Sequence, residues 1–455
     1  MAEAGATSVV VVGGGAAGMS AASRIRRLRP NWSITVLERG DYVSFILCGL
    51  PYYVKGLVEN EDRLVVYTPE FFRMKRSIDV RTHHEARSID AANRLVEAVD
   101  VESGASETFH YDRLVIAAGA EPVRPGIPGL DLDGVFTLHS ISSGMAIRSF
   151  LGSQMVRRAA VIGAGYVGLE MAEALRGVGA EVTLIEALES VLPGGEPEIA
   201  ALVDEELRRQ GVEVRTGQLA QALEGDGRVR RVVTSDGTLD VDLVLVSVGV
   251  RPAVQMAREA GIEVGPTGAI ATDRRMATNV PDVYAAGDCA EAQHMLTDRP
   301  AYVPLGTIAN KQGRVAGISA AGGKAEFAGI VGTAGLKVFD LEVARTGLTE
   351  AQAREAGFDP VSALIRFPSH APYYPGARDL TVKLVADGGS GRVLGAQMCG
   401  PDTVAKRIDT VAAALYARMS VADIESLDLS YAPPFATAWE GIQLAAQRLL
   451  DKLRR

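Results

Sequence analysis

The stretch of this 455-residue chain best equipped for chemistry is Ser44-Phe45-Ile46-Leu47-Cys48-Gly49-Leu50-Pro51-Tyr52-Tyr53. Pro51 stands three residues after Cys48, and proline suits the first turn of a helix. A thiol just before a helix N-terminus sees free backbone N–H groups and the positive end of the helix dipole, which favours the reactive thiolate. The competing reading is a buried, inert thiol, since free cysteine is often simply packed away. Two acids offer a second chemistry. Glu38 and Glu186 each end an apolar run that follows a glycine-rich loop, where a carboxylate can accept hydrogen bonds from the ribose hydroxyls of a dinucleotide.

The elements that must position these groups are legible as a repeated unit. Val9-Val10-Val11-Val12 reads as a parallel strand buried on both faces. It leads into a G-x-G-x-x-G loop on Gly13, Gly15 and Gly18, a helix over 19–29, and a strand over 33–38 that ends in Glu38, twenty residues after Gly18. The pattern recurs with a strand over 159–162, then Gly163, Gly165 and Gly168, a helix over 169–176, and a strand over 181–186 ending in Glu186. In such a unit the glycines let the backbone approach a pyrophosphate, the helix N-terminus faces it, and the acid takes the ribose. No arginine follows Glu186 in Ala187-Leu188-Glu189. A carboxylate in that place repels a 2′-phosphate, so NADH is favoured over NADPH.

Several residues carry two readings. Arg24, Arg26, Arg27 and Arg29 give the first helix a basic face, mostly solvated, with room for one arginine to meet an anionic substrate beside the Cys48 loop. Asp288 either caps a helix beginning at Cys289 or bonds the ribityl chain of a flavin. Glu170 is either an acid favoured by the helix dipole or a neighbour of the nicotinamide. Pro304 opens a segment leading to a helix that could face a flavin ring.

Length and composition bound the rest. The chain is long enough for several domains. The prolines at 122, 125 and 128 mark one crossover, and Gly249-Val250-Arg251-Pro252 marks the return. The expected division is a discontinuous first dinucleotide-binding domain (1–122 and 250–330), a second dinucleotide-binding domain (123–249) and an α+β dimerisation domain (331–455), an α/β protein with two Rossmann-like units. A net charge of −9 argues against nucleic acid as a partner. Cys48, Cys289 and Cys399 are too far apart for a metal-type pair or a disulfide framework, so no metal is expected. Met1 to Ala6 show no export signal and no apolar run reaches membrane-spanning length. A cytoplasmic protein is therefore expected.

These motifs resemble the pyridine-nucleotide-disulfide oxidoreductase family over nearly the whole chain, with Ala286-Gly287-Asp288 completing its framework. The resemblance implies FAD on the first module, with Arg39, Ser44, Ala118, Gly119, Asp288 and Pro304 beside it, and NAD(P)H on the second, with Glu170 and Gly249. Familiar members carry C-x4-C, whereas here Ser44 stands four residues before Cys48. Cys48 must then pair with an external sulfur or oxidise to a sulfenic acid. The run S-F-x-x-C-G-x-P-Y is similar to the single-cysteine branch, coenzyme A-disulfide reductases above all, with NADH oxidases, NADH peroxidases and coenzyme A-dependent persulfide or polysulfide reductases as relatives. Oxidases and peroxidases of that branch place a histidine in the first glycine loop, where this chain has Gly15-Ala16-Ala17.

The same resemblance makes the chain a homodimer in which Tyr373 and Tyr431 serve the partner's cysteine. It also places coenzyme A, as substrate or bound adduct, against Arg27, Ser44, Phe72 and Arg76. Leu47 replaces an asparagine common in the family. No rhodanese-like extension follows Arg455, so no sulfur-transferase activity is expected in the same chain. The implied activity is reduction of a coenzyme A disulfide or persulfide by NADH. The rival readings are an NADH oxidase or polysulfide reductase, and an electron-transfer reductase for a small redox protein in which Cys48 is structural.

Overall fold

The computed structural model describes residues 7–454; Met1–Ala6, where no export signal is expected, and Arg455 lie outside the described residues. Strand β1 (Ser8–Val12) sits in the middle of a parallel sheet. Its neighbours are β2 (Ser33–Leu37) on one side and Arg113–Ile116 on the other, with Asp79–Arg81 and Val283–Ala285 at the edges. Both faces are covered, which is why Val9 to Val12 can be continuously apolar. Each buried valine contributes ~1.5–3 kcal/mol. Helix α1 (Ala16–Leu28) follows the first glycine loop and packs on the helix Gly306–Ala320.

A second parallel sheet repeats this plan, in the order Val212–Arg215, Glu181–Ile185, Arg158–Ile162, Leu243–Val246, Val135–Phe136. Helix α2 (Leu50–Lys55), directly after Cys48, packs on α4 (Ile141–Ser153), while α3 (Pro69–Arg76) packs beside the first sheet at the strand Asp79–Arg81. Helix α5 (Tyr166–Gly177) follows the second glycine loop. Thr68 caps α3 by accepting a hydrogen bond from the Phe71 N–H. The C-terminal part is an antiparallel sheet of five strands, Ala334–Val338, Leu341–Gly347, Val393–Gly400, Asp379–Asp387 and Pro360–Pro368. Helices Val404–Tyr416 and Gly441–Leu453 pack on it. The fold is the expected α/β architecture with two Rossmann-like units and a C-terminal α+β unit.

Three local expectations change. Helices α1 and α5 begin at Ala16 and Tyr166, three residues before the points read from sequence, because the last glycine of each motif lies inside the first turn. No helix starts at Asp288: the chain turns there and enters the short strand Ala292–Gln293. Its reading as a helix cap is therefore overturned. The strand Leu341–Gly347 is absent from the pattern read in the sequence, because Ala344 and Arg345 break the alternation that Leu341-Glu342-Val343 begins.

Candidate active site

Each glycine loop is shaped to let something come close to its backbone. Gly13 has φ +100°, and a Cβ there would lie 2.1 Å from the Ala117 carbonyl oxygen. Gly163 is its counterpart, with φ +103° and 2.3 Å to the Ser247 carbonyl oxygen. Only glycine tolerates both constraints. Gly15 and Gly165, at the helix starts, face open space, while Gly18 and Gly168 pack against the preceding turns. The acids complete each loop. Glu38 accepts from the N–H groups of Gly14 (2.8 Å) and Gly40 (2.9 Å). Glu186 does the same for Ala164 (2.7 Å) and Leu188 (3.0 Å). Each carboxylate keeps lone pairs for ribose hydroxyls. Gly249 adopts φ +107° beside open space, and Ala118 and Gly119 follow the strand that closes on Gly13. Arg39 is exposed and forms no ion pair among the described residues.

Asp288 makes no side-chain hydrogen bond among the described residues, and burial pushes its carboxyl up to about 6. A half-buried acid without a partner keeps free acceptor capacity, and it fits the ribityl hydroxyls of a flavin. Gln312, which the sequence reading missed, locks this turn: Oε1 accepts from Gly287 N–H at 2.8 Å and Nε2 donates to the Glu291 carbonyl at 3.0 Å. Its place in the helix Gly306–Ala320 gave no motif to read. Pro304 lies two residues before that helix. The residues present thus fit two dinucleotides, FAD on the first module and a pyridine nucleotide on the second.

Cys48 lies in a single turn, Leu47–Gly49, immediately before α2. It is exposed, whereas Cys289 and Cys399 are buried, so Cys48 is not packed away as the competing reading has it. The expected thiolate-favouring effect is also reversed. Partial burial pushes the Cys48 thiol up and the charge of Glu170 adds to it; a backbone hydrogen bond pulls back, and Asp288 adds a smaller push. The six-residue helix that follows does not offset that burial. Glu170 itself is pushed up to about 7, by burial first and then by Glu173, against the Tyr52 hydroxyl, which lowers it.

Glu173 is a junction that the sequence did not reveal. It takes Lys55 Nζ of α2 at 2.8 Å, Lys337 Nζ at 3.2 Å and the Phe339 N–H at 2.7 Å. The Cys48 helix, the second nucleotide module and the C-terminal sheet therefore meet on one carboxylate.

Beside the Cys48 loop lies a cavity of about 700 Å³. Ser44, Arg27, Phe72 and Arg76, expected for substrate, all line it, and Arg24, Lys311 and Arg314 join them. Ser44 holds φ 53° and donates its N–H to the Gly14 carbonyl at 2.9 Å, so the groove borders the first glycine loop. Phe72 is only 1% exposed and forms the floor. The exposed aromatic of the lining is Tyr67, stacked on Phe71 with ring centroids 4.5 Å apart and with the Arg76 guanidinium 5.4 Å over its ring. Lys311 and Arg314 were missed because they lie far along the chain, on a helix brought beside α1 only by folding. Tyr373 and Tyr431, 58 residues apart, are brought together with their hydroxyls 3.4 Å apart, and both are exposed. That hydrogen bond raises the Tyr373 hydroxyl above its usual range.

Two dinucleotide modules with a lone accessible thiol between them define a class: oxidoreductases that carry electrons from a nicotinamide through a flavin to sulfur. Residues 7–313 match the pyridine nucleotide-disulphide oxidoreductase family and residues 333–441 its dimerisation domain, and the chain belongs to that family. It is an FAD-dependent NAD(P)H oxidoreductase. The chain is 41% identical over 442 residues to the NAD(P)H coenzyme A polysulfide/persulfide reductase of Pyrococcus horikoshii, covering 97% of this chain and 98% of that protein. It is 34% identical to an NADH oxidase of Methanocaldococcus jannaschii, covering 98% and 99%. A solved NAD-dependent persulfide reductase from A. fulgidus superposes with a TM-score of 0.95 at 41% identity, covering 98% of this chain and 83% of that one. No helix among the described residues is long and apolar enough to cross a membrane.

Proposed function

We propose that the protein is a homodimer that uses NADH to reduce a coenzyme A-linked persulfide or disulfide at Cys48. The observation that carries this is the groove. The chain has a net charge of −9, yet the groove presents Arg24, Arg27, Arg76, Lys311 and Arg314 without one carboxylate in its lining. None of the five forms an ion pair among the described residues. Unpaired cations on one wall match a ligand with several phosphates, and the groove extends to Ile46, two residues from Cys48. The Pyrococcus relative, named for coenzyme A, supports the same ligand.

FAD, bound on the first module, supplies the two-electron path between nicotinamide and sulfur. Gly13, Gly15, Gly18, Glu38, Asp288 and the adjoining Arg39, Ser44, Ala118, Gly119 and Pro304 hold it. Gly163, Gly165, Gly168, Glu186, Glu170 and Gly249 hold NADH. The Cys48 thiolate attacks the substrate, forming a Cys48–coenzyme A mixed disulfide as the substrate's S–S bond breaks. The leaving thiolate or hydrosulfide takes a proton from the Tyr373–Tyr431 pair of the other subunit. Two electrons from NADH then reduce the mixed disulfide to two thiols.

The test is substrate choice. NADH oxidation should be fast with coenzyme A persulfide or disulfide and slow with glutathione disulfide; equal rates would remove coenzyme A from the account. The relative named NADH oxidase favours oxygen as a second acceptor, and an oxygen electrode without sulfur substrate separates that reading. Mixed dimers of Cys48→Ser with Tyr431→Phe chains test the shared site. One complete site is restored per heterodimer, so activity near half of wild type supports it and no recovery contradicts it.

A further inference from the structure

We infer that Arg407 is a positioning residue that holds Tyr373 and Tyr431 together as one proton-donating unit, an inference that rests on the role proposed above for that pair.

Both tyrosines lie on segments without regular structure. Tyr373 follows the end of the strand Pro360–Pro368, and Tyr431 precedes the helix Gly441–Leu453. Tyr373, Tyr431 and Phe435 are 76%, 50% and 74% exposed, so packing within the subunit does not fix them. A single backbone bond joins the two segments, from the Ala371 N–H to the Pro433 carbonyl at 3.2 Å. Neither segment is long enough in regular structure to bring two phenols within 3.4 Å of each other unaided.

The Arg407 guanidinium supplies the missing link. Nη2 donates to the Ser369 carbonyl, four residues before Tyr373, at 2.5 Å, and to the Phe435 carbonyl, four residues after Tyr431, at 3.0 Å. Nη1 donates to the Glu440 carboxylate, and Nε donates to Thr403 Oγ1 at 2.9 Å. The plane lies 5.8 Å over the Phe367 ring, at the end of the strand that leads to Tyr373. Four of the five N–H donors are thus committed, two of them to the two tyrosine segments at once. Glu440 balances the charge, and both side chains are about nine-tenths buried, a setting in which the pair is hard to break. A lysine cannot reproduce this fork, because its single ammonium cannot reach both carbonyls, Glu440 and Thr403 in one plane.

The test uses the dimeric, FAD-loaded enzyme and follows each half-reaction by rapid mixing. Arg407→Lys should leave bleaching of the flavin by NADH unchanged. Reoxidation by coenzyme A disulfide should slow about 10- to 100-fold, the cost of misplacing a catalytic group by ~1 Å. In a Tyr373→Phe/Tyr431→Phe background the same substitution should change reoxidation less than about twofold, since there is no longer a hydroxyl to place. A full reoxidation rate in Arg407→Lys, or an equal slowing in the tyrosine-free background, overturns the inference. So does equal slowing of both half-reactions, which marks a purely structural role. The underlying reading fails separately: if Tyr373→Phe and Tyr431→Phe leave reoxidation at the wild-type rate, the tyrosines donate no proton and Arg407 has nothing to position. Should Arg407→Lys fail to dimerise, Glu440→Gln keeps every Arg407 donor while loosening its anchor. It should slow the same half-reaction by a smaller factor, and a wild-type rate there overturns the inference.

Discussion

Replacing Glu186 by glutamine keeps the size and one acceptor oxygen but removes the charge. In the wild-type chain Glu186 is 7% exposed, with Oε2 on the Ala164 N–H and Oε1 on the Leu188 N–H. Each oxygen has a further lone pair free to accept from a ribose hydroxyl. A hydrogen bond to a charged acceptor contributes ~1.5–3 kcal/mol, against ~0.5–1.5 for a neutral one. Losing the charge on the ribose contact therefore costs NADH ~1–1.5 kcal/mol, about a tenfold fall in kcat/KM. The same change lifts the repulsion of a 2′-phosphate, and like charges held together cost several kcal/mol. NADPH should gain while NADH loses, so the NADH/NADPH ratio of specificity constants should fall at least 30-fold, to about the level of ~2 kcal/mol. Stopped-flow reduction of the flavin by each nucleotide measures this step alone. A ratio unchanged within about twofold would refute the reasoning and place nucleotide choice on groups other than Glu186.

Four further outcomes follow from the same geometry. Cys48→Ser should lose turnover with sulfur substrates while NADH still bleaches the flavin, which stopped-flow spectra show directly. Arg76→Ala and Lys311→Ala should each raise KM for the coenzyme A substrate about tenfold or more and leave NADH reduction unchanged, as steady-state kinetics will show. Lys383 is buried between Glu196 (3.0 Å), Glu198 (2.9 Å) and Glu350 (2.9 Å), so Lys383→Met strands the buried Glu196 carboxylate and should destabilise by ~3–5 kcal/mol, read as a lowered thermal midpoint. Glu170 binds a proton in the folded chain up to about 7 against an ordinary 4.5, so its contribution to stability is full below 4.5 and is lost as pH rises through about 7. Urea titrations at acid and neutral pH should show Glu170→Gln gaining on wild type towards neutral pH, by up to ~3 kcal/mol.

The parts of this molecule written in short sequence range were the ones that could be read. The two glycine loops and their acids lie within about thirty residues each, and strand, loop and helix follow from local pattern. Cys48 was legible as a candidate, but its electrostatics were not. Its thiol is raised first by burial and then by the charge of Glu170, with a smaller push from Asp288, and both acids stand more than a hundred residues away. The groove was half legible for the same reason: Arg24 and Arg27 belong to a recognisable helix, whereas Lys311 and Arg314 reach the site only because two helices pack face to face. Glu173 reads as one more acid on an amphipathic helix until Lys55 and Lys337 converge on it from two other elements. Asp288 failed as a helix cap because the residues after it are committed to a turn and a short strand.

The central claim is that Cys48 exchanges directly with a coenzyme A-linked sulfur. Intact-mass spectrometry of the protein after incubation with coenzyme A disulfide, without NADH or other reductant, tests it in one step. The account predicts a single added coenzyme A per chain, located to the Cys48 peptide, absent from Cys48→Ser and released on addition of NADH. An unmodified mass, or an adduct that persists in Cys48→Ser, would contradict it.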